Sequence, residues 1–292
     1  MNKSFFIIFM GCLLLVGCHK KQTERSGQQA VDTITTVQIP FTFDTIGFND
    51  HPDKVPSLSI DVSLELPVTD KNNPIAKLLR RQITIDVLGE KYAKASSEVD
   101  ALMAYITDQR ARVSDAASDF EEDQELIEDE GMEYMYKWES NLTGRVFLYN
   151  PPLLIYEADY FDYEGGVHGM FCNAYMIYST ITGKRLKLDD VFVNDKSSRN
   201  KMATIIYNRL QYQIDHDKDL EGMEILDLEA VKPVDNFSLN QDTVTFYYAP
   251  YEIAAYCYGE VAVKVPVADL RPYMLAEGEV AQFLSSNVVA EK

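Results

Sequence analysis

The sequence is short of basic side chains. It has 27 Lys and Arg residues against 46 Asp and Glu residues, which gives a formal net charge of −19. So acidic a chain argues against nucleic-acid binding and against electrostatic docking on anionic lipid, because both partners are themselves negative. A cationic partner is compatible with this charge, although solubility alone also accounts for it.

The sequence also lacks the common signatures of hydrolases and metal sites. It contains no Gly-x-Ser-x-Gly and no His-Glu-x-x-His, so serine-hydrolase and zinc-protease chemistry have no support. No glycine occurs in the acidic stretch 114–130, where an EF-hand loop would need one for its turn. A solvated helix or an acidic loop is predicted there instead. The sequence therefore predicts no catalytic residue, no metal and no cofactor.

No apolar run reaches the roughly 20 residues of an ordinary transmembrane helix. The longest run, 5–16, follows Lys3 and is typical of a secretory signal peptide. It ends in Leu15-Val16-Gly17-Cys18, which resembles the lipobox of bacterial lipoproteins. The resemblance implies removal of residues 1–17 and acylation of Cys18, and two or three acyl chains would hold the protein stably to a membrane. An ordinary cleaved signal with an incidental cysteine is the alternative.

Residues 18–36 are polar and show no apolar periodicity, so we predict a tether between the membrane and the folded part. By resemblance to bacterial sorting rules, the absence of Asp after Cys18 favours the outer membrane within the cell envelope. The sequence does not indicate whether the protein faces the periplasm or the outside.

Cysteine is scarce, with four residues in the whole sequence. If Cys18 is acylated and Cys12 is removed with the signal peptide, Cys172 and Cys257 form the one internal pair. An exported protein permits a disulfide between them. Two thiols that behave as small hydrophobic side chains are the alternative.

Hydrophobic periodicity predicts an α+β protein. Alternation over 58–66 and over 243–248 and 261–266 indicates strands. Asn73-Pro74 is typical of a helix start, with Asn as the N-cap and Pro at the first position. Strands come first, then two helices, then strands with a single helix over 198–215. This order is not the alternation of βαβ units, so we predict two small modules, each an antiparallel sheet with packed helices.

Four segments in the second half carry a family resemblance. The segments are Tyr163-Glu164-Gly165-Gly166-Val167-His168-Gly169, the stretch 182–192, the stretch 244–254, and Tyr258-Gly259-Glu260-Val261 leading to Val265-Pro266. Together they resemble the DUF3298 family, the C-terminal module of RsiV-type proteins, and the region before them resembles the DUF4163 module that accompanies it. This predicts a DUF4163-like module over 37–170 and a DUF3298-like module over 171–292.

The resemblance implies a binding role outside the cytoplasm. In RsiV-type anti-sigma factors these modules bind lysozyme, and elsewhere they accompany cell-wall deacetylases whose catalytic domain is separate. This sequence shows neither a sigma-binding segment nor a transmembrane helix, which disfavours anti-sigma signalling. The predicted partners are therefore lysozyme or another cationic protein, or peptidoglycan, in addition to the membrane reached through Cys18.

The turn at Gly165-Gly166 is the candidate binding site. Adjacent glycines permit positive φ and a close backbone approach, which would let His168 project at a strand end. A histidine that is hydrogen-bonded to the backbone and pins the junction is the alternative. Tyrosine tolerates both wet and buried surroundings, so nearby tyrosines are included in the site. The predicted binding residues are Tyr160, Tyr163, Gly165, Gly166, His168 and Tyr251.

A peptidoglycan-directed hydrolase is the rival hypothesis. Four carboxylates lie just before the turn, at Glu157, Asp159, Asp162 and Glu164. Two carboxylates that flank a sugar bond are the usual machinery of glycoside hydrolysis. Strand alternation explains several of them more simply, as one polar face. The sequence therefore favours a non-catalytic binding protein.

Overall fold

The computed structural model describes residues 41–69, 71–131 and 133–286, with the side chains of 114–119 and 121–130 excepted. The predicted signal peptide, the tether and Cys18 all lie outside these residues. Among the residues described, no helix combines the length and the apolar composition that a membrane crossing requires.

Nine strands and six α-helices make up the described fold. The strands are β1 (Phe43–Asp50), β2 (Ser57–Pro67), β3 (Lys137–Asn150), β4 (Leu153–Tyr163), β5 (Met170–Ser179), β6 (Arg185–Leu186), β7 (Phe237–Leu239), β8 (Thr243–Tyr248) and β9 (Val261–Pro266). The helices are α1 (Pro74–Leu88), α2 (Glu98–Glu130), α3 (Leu188–Val191), α4 (Lys196–His216), α5 (Val267–Leu270) and α6 (Glu279–Ser285). The α+β class is thus confirmed, and the acidic stretch 114–130 is helical.

The larger sheet has six strands in the order β1-β2-β3-β4-β5-β6. All neighbours are antiparallel except β2 and β3, which are parallel. The prediction that both sheets are antiparallel is therefore wrong for this one. The reason is the connection, because α1 and α2 return the chain to the end of the sheet where β2 began, and such a crossover makes the next strand parallel.

The smaller sheet contains β7, β8 and β9, all antiparallel. The strands predicted over 243–248 and 261–266 coincide with β8 and β9. Helix α4 lies against this sheet, where the Gln213 side chain donates to the Ala262 carbonyl at 2.9 Å and accepts from the Lys264 amide at 2.8 Å.

The helix starts follow from local sequence. The Asn73 side chain accepts from the Ala76 amide at 3.3 Å and Pro74 is the first residue of α1, as predicted. Asp195 caps α4 in the same way, by accepting from the Ser198 amide at 3.0 Å. Side-chain caps of this kind satisfy amides that have no partner inside the helix.

Two hydrophobic cores lie on opposite faces of the larger sheet. One core joins the even-numbered side chains of β2 and β4 to α1 and α2. The other joins Leu153, Ile155 and Ile177, which point to the opposite face, to α4 and the smaller sheet. The boundary predicted between residues 170 and 171 falls at the start of β5, so one continuous sheet contains strands from both predicted modules.

Candidate binding surface where the two sheets meet

The glycine turn connects β4 and β5 and stands out from the surface. Gly165 and Gly166 have φ of +83° and +94°, a region that side chains with a Cβ rarely adopt. A Cβ on Gly165 would also lie 2.5 Å from the Met135 carbonyl oxygen, whereas nothing lies within 4 Å of one on Gly166. Val167 at the tip is 99% exposed. The turn thus needs glycine and presents its tip to solvent.

His168 is part of an exposed aromatic cluster. Its ring stacks on that of Tyr256, with centroids 3.8 Å apart and planes inclined by 17°. Its Nε2 atom lies 3.4 Å from the Tyr251 hydroxyl, and its Nδ1 atom lies 3.0 Å from the Gly169 carbonyl. The Tyr256 hydroxyl donates to that same carbonyl at 2.6 Å. We call His168, Tyr251 and Tyr256 the aromatic cluster. His168 has a feature of each predicted alternative, because it is exposed at the end of a strand and its ring also contacts a backbone carbonyl.

Tyr251 has an unusual backbone conformation. Its φ is +69°, and it is the one non-glycine residue with positive φ among the residues described. Such a conformation is uncommon for a residue with a bulky side chain and carries a cost in free energy. The side chain remains 50% exposed beside His168. A strained residue that holds an exposed ring in place is typical of a functional position.

The remaining predicted tyrosines lie in different places. Tyr163 lies at the turn, where its hydroxyl donates to the Gly166 carbonyl at 3.1 Å. The Tyr160 hydroxyl donates to the Val87 carbonyl at 2.9 Å and the ring packs against the core under α1. Burial raises the pKa of Tyr160 well above its usual value. The structure therefore removes Tyr160 from the candidate surface, because strand alternation turns it to the opposite face.

Glu157 and Asp159 share one face of β4 and are already engaged by a cation. Arg145 of β3 contacts the Glu157 carboxylate at 2.7 Å and the Asp159 carboxylate at 2.6 Å. Burial and the neighbouring Glu157 raise the pKa of Asp159. Glu157 also accepts from the Tyr175 hydroxyl at 2.5 Å.

The other two carboxylates of the hydrolase hypothesis lie elsewhere. Asp162 and Glu164 both contact Arg112 of α2, the former at 3.4 Å. Because side chains alternate along β4, residues 157 and 159 share one face of the sheet and residue 162 faces the other. The four carboxylates therefore do not line one cleft.

Glu260 is a site residue to which the sequence assigned no role. Its carboxylate accepts from the Asn173 amide at 3.2 Å and from the Asn173 side chain at 3.4 Å. Burial, together with the nearby charges of Glu157 and Asp159, raises the Glu260 pKa to about 7. Glu260 occurs in one of the family-like segments, but its neighbours are about a hundred residues away in sequence. They come together because the segment just before β9 packs against β5.

Side chains also connect the two sheets at this point. The rings of Tyr175 and Tyr247 stack with centroids 3.9 Å apart. Asn236 accepts from the Tyr175 amide at 2.7 Å and donates to the Asn173 carbonyl at 2.8 Å. This part of β5 has no neighbouring strand beyond it in the described sheet, so Asn236 and Glu260 satisfy its outer backbone groups. Stacked rings and side-chain hydrogen bonds thus join β5 to the smaller sheet.

Cys172 and Cys257 are not joined by a disulfide. The alternative of two buried thiols is wrong for Cys257, which is exposed on the loop that carries Tyr256. Within the described residues, no group of three or more His, Cys, Asp and Glu side chains has the arrangement of a metal site.

Comparison with known proteins places this geometry in context. Residues 189–268 match the family model described as a protein of unknown function, DUF3298. Over 158 residues the chain is 23% identical to the peptidoglycan-N-acetylmuramic acid deacetylase PdaC of Bacillus subtilis (strain 168). That match covers 53% of this chain and only 33% of the relative, so this chain corresponds to about a third of that protein.

Two solved structures have a similar fold. A DUF3298 family member from Bacteroides fragilis superposes with a TM-score of 0.71 at 23% identity, and the match covers 84% of this chain and 98% of that one. A DUF3298 family protein from Pseudomonas aeruginosa PAO1 superposes with a TM-score of 0.51 at 18% identity and covers 82% and 96%. Residues 189–268 of this chain thus match the DUF3298 family model, and the chain shares the fold of two solved structures of that family.

Proposed function

We propose that this chain is a non-catalytic binding protein of the cell envelope that holds its ligand on the aromatic cluster. The observation that carries the proposal is the stack of His168 on Tyr256 beside Tyr251. The Tyr251 ring is exposed although its backbone has an unfavourable positive φ. Exposed aromatic rings on a rigid base supply contact area at a small entropic cost. The exposed Val167 adds an apolar tip.

Two ligands fit this surface. A cationic protein such as lysozyme would meet a chain of net charge −19, and opposite charge favours encounter and orientation. Peptidoglycan is supported by the similarity to a relative named as a peptidoglycan deacetylase. Lipid on Cys18 and a place at the outer membrane belong to the same proposal and would keep the binding surface close to either ligand.

A hydrolase remains the second candidate because of one observation. The Glu260 pKa of about 7 means that this carboxyl is partly protonated at neutral pH, beside Glu157 and Asp159. A general acid needs a pKa in that range. Release of soluble fragments from peptidoglycan by the intact chain, and its loss in Glu260→Gln, would establish the hydrolase and overturn the non-catalytic proposal.

The binding proposal is tested by retention of lysozyme and of insoluble peptidoglycan on the full chain. Tyr256→Ala and His168→Ala remove the stack and are expected to lower retention about tenfold or more, as for truncation of a central aromatic contact. Tyr212→Ala is the matched control, because Tyr212 and His216 form a similar exposed stack on α4, with centroids 4.1 Å apart.

The outcomes separate cleanly. Loss of retention in the Tyr256 and His168 variants, with Tyr212→Ala unchanged, supports the proposal. Equal effects of all three substitutions, or no retention of either ligand by the unmodified chain, overturns it. Retention that falls as salt rises identifies the cationic protein as the ligand, because screening weakens attraction between surface charges.

A further inference from the structure

The face of the larger sheet opposite α1 and α2 is covered only in part. Within the described residues, the second core packs on this face at Leu153, Ile155 and Ile177. Away from these residues the face becomes polar, and Asp61 of β2 and Thr143 of β3 are exposed there. A sheet face without a covering layer is open to solvent and to ligands.

The strand register arranges the side chains of this part of the face in rows across the sheet. Directly paired residues on neighbouring strands point to the same face. We call the two central rows the open sheet face. The first row is Asp61, Asn141, Phe161 and Phe171, and the second row is Ser63, Thr143, Asp159 and Asn173. Strands are about 4.8 Å apart, so each row spans roughly 14 Å.

The open sheet face offers carboxylates and neutral hydrogen-bonding groups together. Ser63, Thr143 and Asn141 are hydroxyl and amide side chains that can both donate and accept. Asp61 is 55% exposed and its contact within 4 Å is with the equally exposed His51, at 3.4 Å. Asp159 is bound on one side by Arg145.

The net charge of this face is negative. A third row contributes Glu139, exposed and paired in register with Tyr163, and Glu157 adjoins the second row. Two basic residues of β3 lie beside these rows, Lys137 and Arg145, and Arg145 is already shared by Glu157 and Asp159. An additional cation would therefore find carboxylates that Arg145 does not neutralise.

Aromatic rings border the open sheet face on the side of the turn. The Phe161 ring lies against Gly169, where an added Cβ would come within 2.5 Å of it. Phe171 contacts Tyr256 edge to face, with centroids 5.7 Å apart. The open sheet face and the aromatic cluster are thus one continuous surface.

From this combination we propose that the open sheet face binds a glycan strand that carries free amino groups. Sugar hydroxyls would meet Ser63, Thr143 and Asn141, and the ammonium groups would meet Asp61 and Asp159. Rings such as Tyr256 would pack on the apolar faces of the sugars. N-acetylation removes the ammonium charge, so the acetylated strand loses the contacts to the carboxylates. This inference rests on the proposed function and names the class of ligand for the surface next to the aromatic cluster.

The experiment compares two defined probes by calorimetry on the full chain. One probe is an oligomer of β-1,4-linked glucosamine and the other is its fully N-acetylated form. We expect the amine form to bind about tenfold more tightly or better, since one charge-assisted contact is worth about that factor. Asp61→Asn and Asp159→Asn should each weaken the amine form about tenfold and leave the acetylated form unchanged.

Asp162→Asn is the matched control, because Asp162 lies on the same strand as Asp159 but faces Arg112 on the opposite side. General attraction of a cationic oligomer to an acidic protein would respond equally to all three substitutions, and that result overturns the inference. Equal affinity for the two oligomers also overturns it. If neither oligomer binds while lysozyme or peptidoglycan is still retained on the aromatic cluster, this inference fails and the proposed function stands.

Discussion

The two faces of β4 differ in how far their burial extends. On one face Leu154, Tyr156 and Ala158 are all buried under the helices. On the other face the side chains change from Leu153 and Ile155, which are core, to polar residues within the same strand. The first face is buried along most of the strand. On the second face one part is buried in a core and the other part carries polar side chains at the surface. The candidate binding surface begins where the second core ends.

The largest effect is expected from breaking the covered face. Ile60 of β2 is fully buried between the sheet and the helices, and Ile60→Ala should lower the free energy of unfolding by about 2–5 kcal/mol, because it removes apolar contacts and leaves a cavity. Thr143→Ala on the open face should change it by less than about 0.5 kcal/mol. Urea unfolding followed by circular dichroism measures both. Similar losses for the two variants would show that the open face is also a packed interface.

The glycine turn allows the contribution of contact to be separated from that of backbone strain. In Gly165→Ala the new side chain has an unfavourable positive φ and also clashes with the Met135 carbonyl. In Gly166→Ala only the positive φ is unfavourable. Replacing glycine at positive φ costs on the order of 1 kcal/mol, so Gly166→Ala should lose about that much and Gly165→Ala about 1–2 kcal/mol more. The same unfolding assay checks the difference, and equal losses would contradict the close approach at Gly165.

A smaller effect is expected from Glu260, and it depends on pH. Its pKa is raised from 4.5 to about 7 in the folded protein, mainly by burial. The folded state therefore keeps a proton that the unfolded state releases, so this stabilisation is complete below about pH 4.5 and is lost as pH rises through 7. Glu260→Gln cannot ionise and should flatten the dependence of unfolding free energy on pH between 4.5 and 7, by about 1–2 kcal/mol after solvent screening. Parallel pH profiles for the two proteins would refute the shift.

The smallest effect on stability is expected at Tyr251. Glycine accepts the φ of +69° without strain, so Tyr251→Gly should leave the unfolding free energy unchanged or raise it by up to about 1 kcal/mol. Ligand retention should fall, because the ring is removed from the aromatic cluster. A variant that is clearly less stable would show that Tyr251 serves the fold and not the ligand.

Particular elements show what could be predicted. The strands over 58–66, 243–248 and 261–266 and the start of α1 at Pro74 follow from local periodicity and capping, and the structure confirms them. The parallel pairing of β2 with β3 was missed, because it depends on the path of the chain through two helices. Tyr160 was wrongly assigned to the surface. Alternation separates the side chains of a strand into two faces but does not say which face is buried under the helices.

The candidate site shows the same division. The glycine turn and the exposure of His168 were predicted from Gly165-Gly166 because positive φ is a local property of the backbone. Two contacts join residues that are about a hundred positions apart in sequence. They are the stacking of His168 on Tyr256 and the approach of Glu260 to Glu157 and Asp159. No local pattern contains that information.

The sequence by itself determined the α+β class, the positions of β2, β8, β9 and α4, the start of α1, the glycine turn and the acidic character of the chain. Each of these depends on residues within a few positions of one another, or on composition alone. The tertiary structure decided which face of β4 is open, which carboxylates share Arg145, and which rings meet at the turn. Those outcomes depend on strand register and on where the second core stops, because both are set by packing between distant segments.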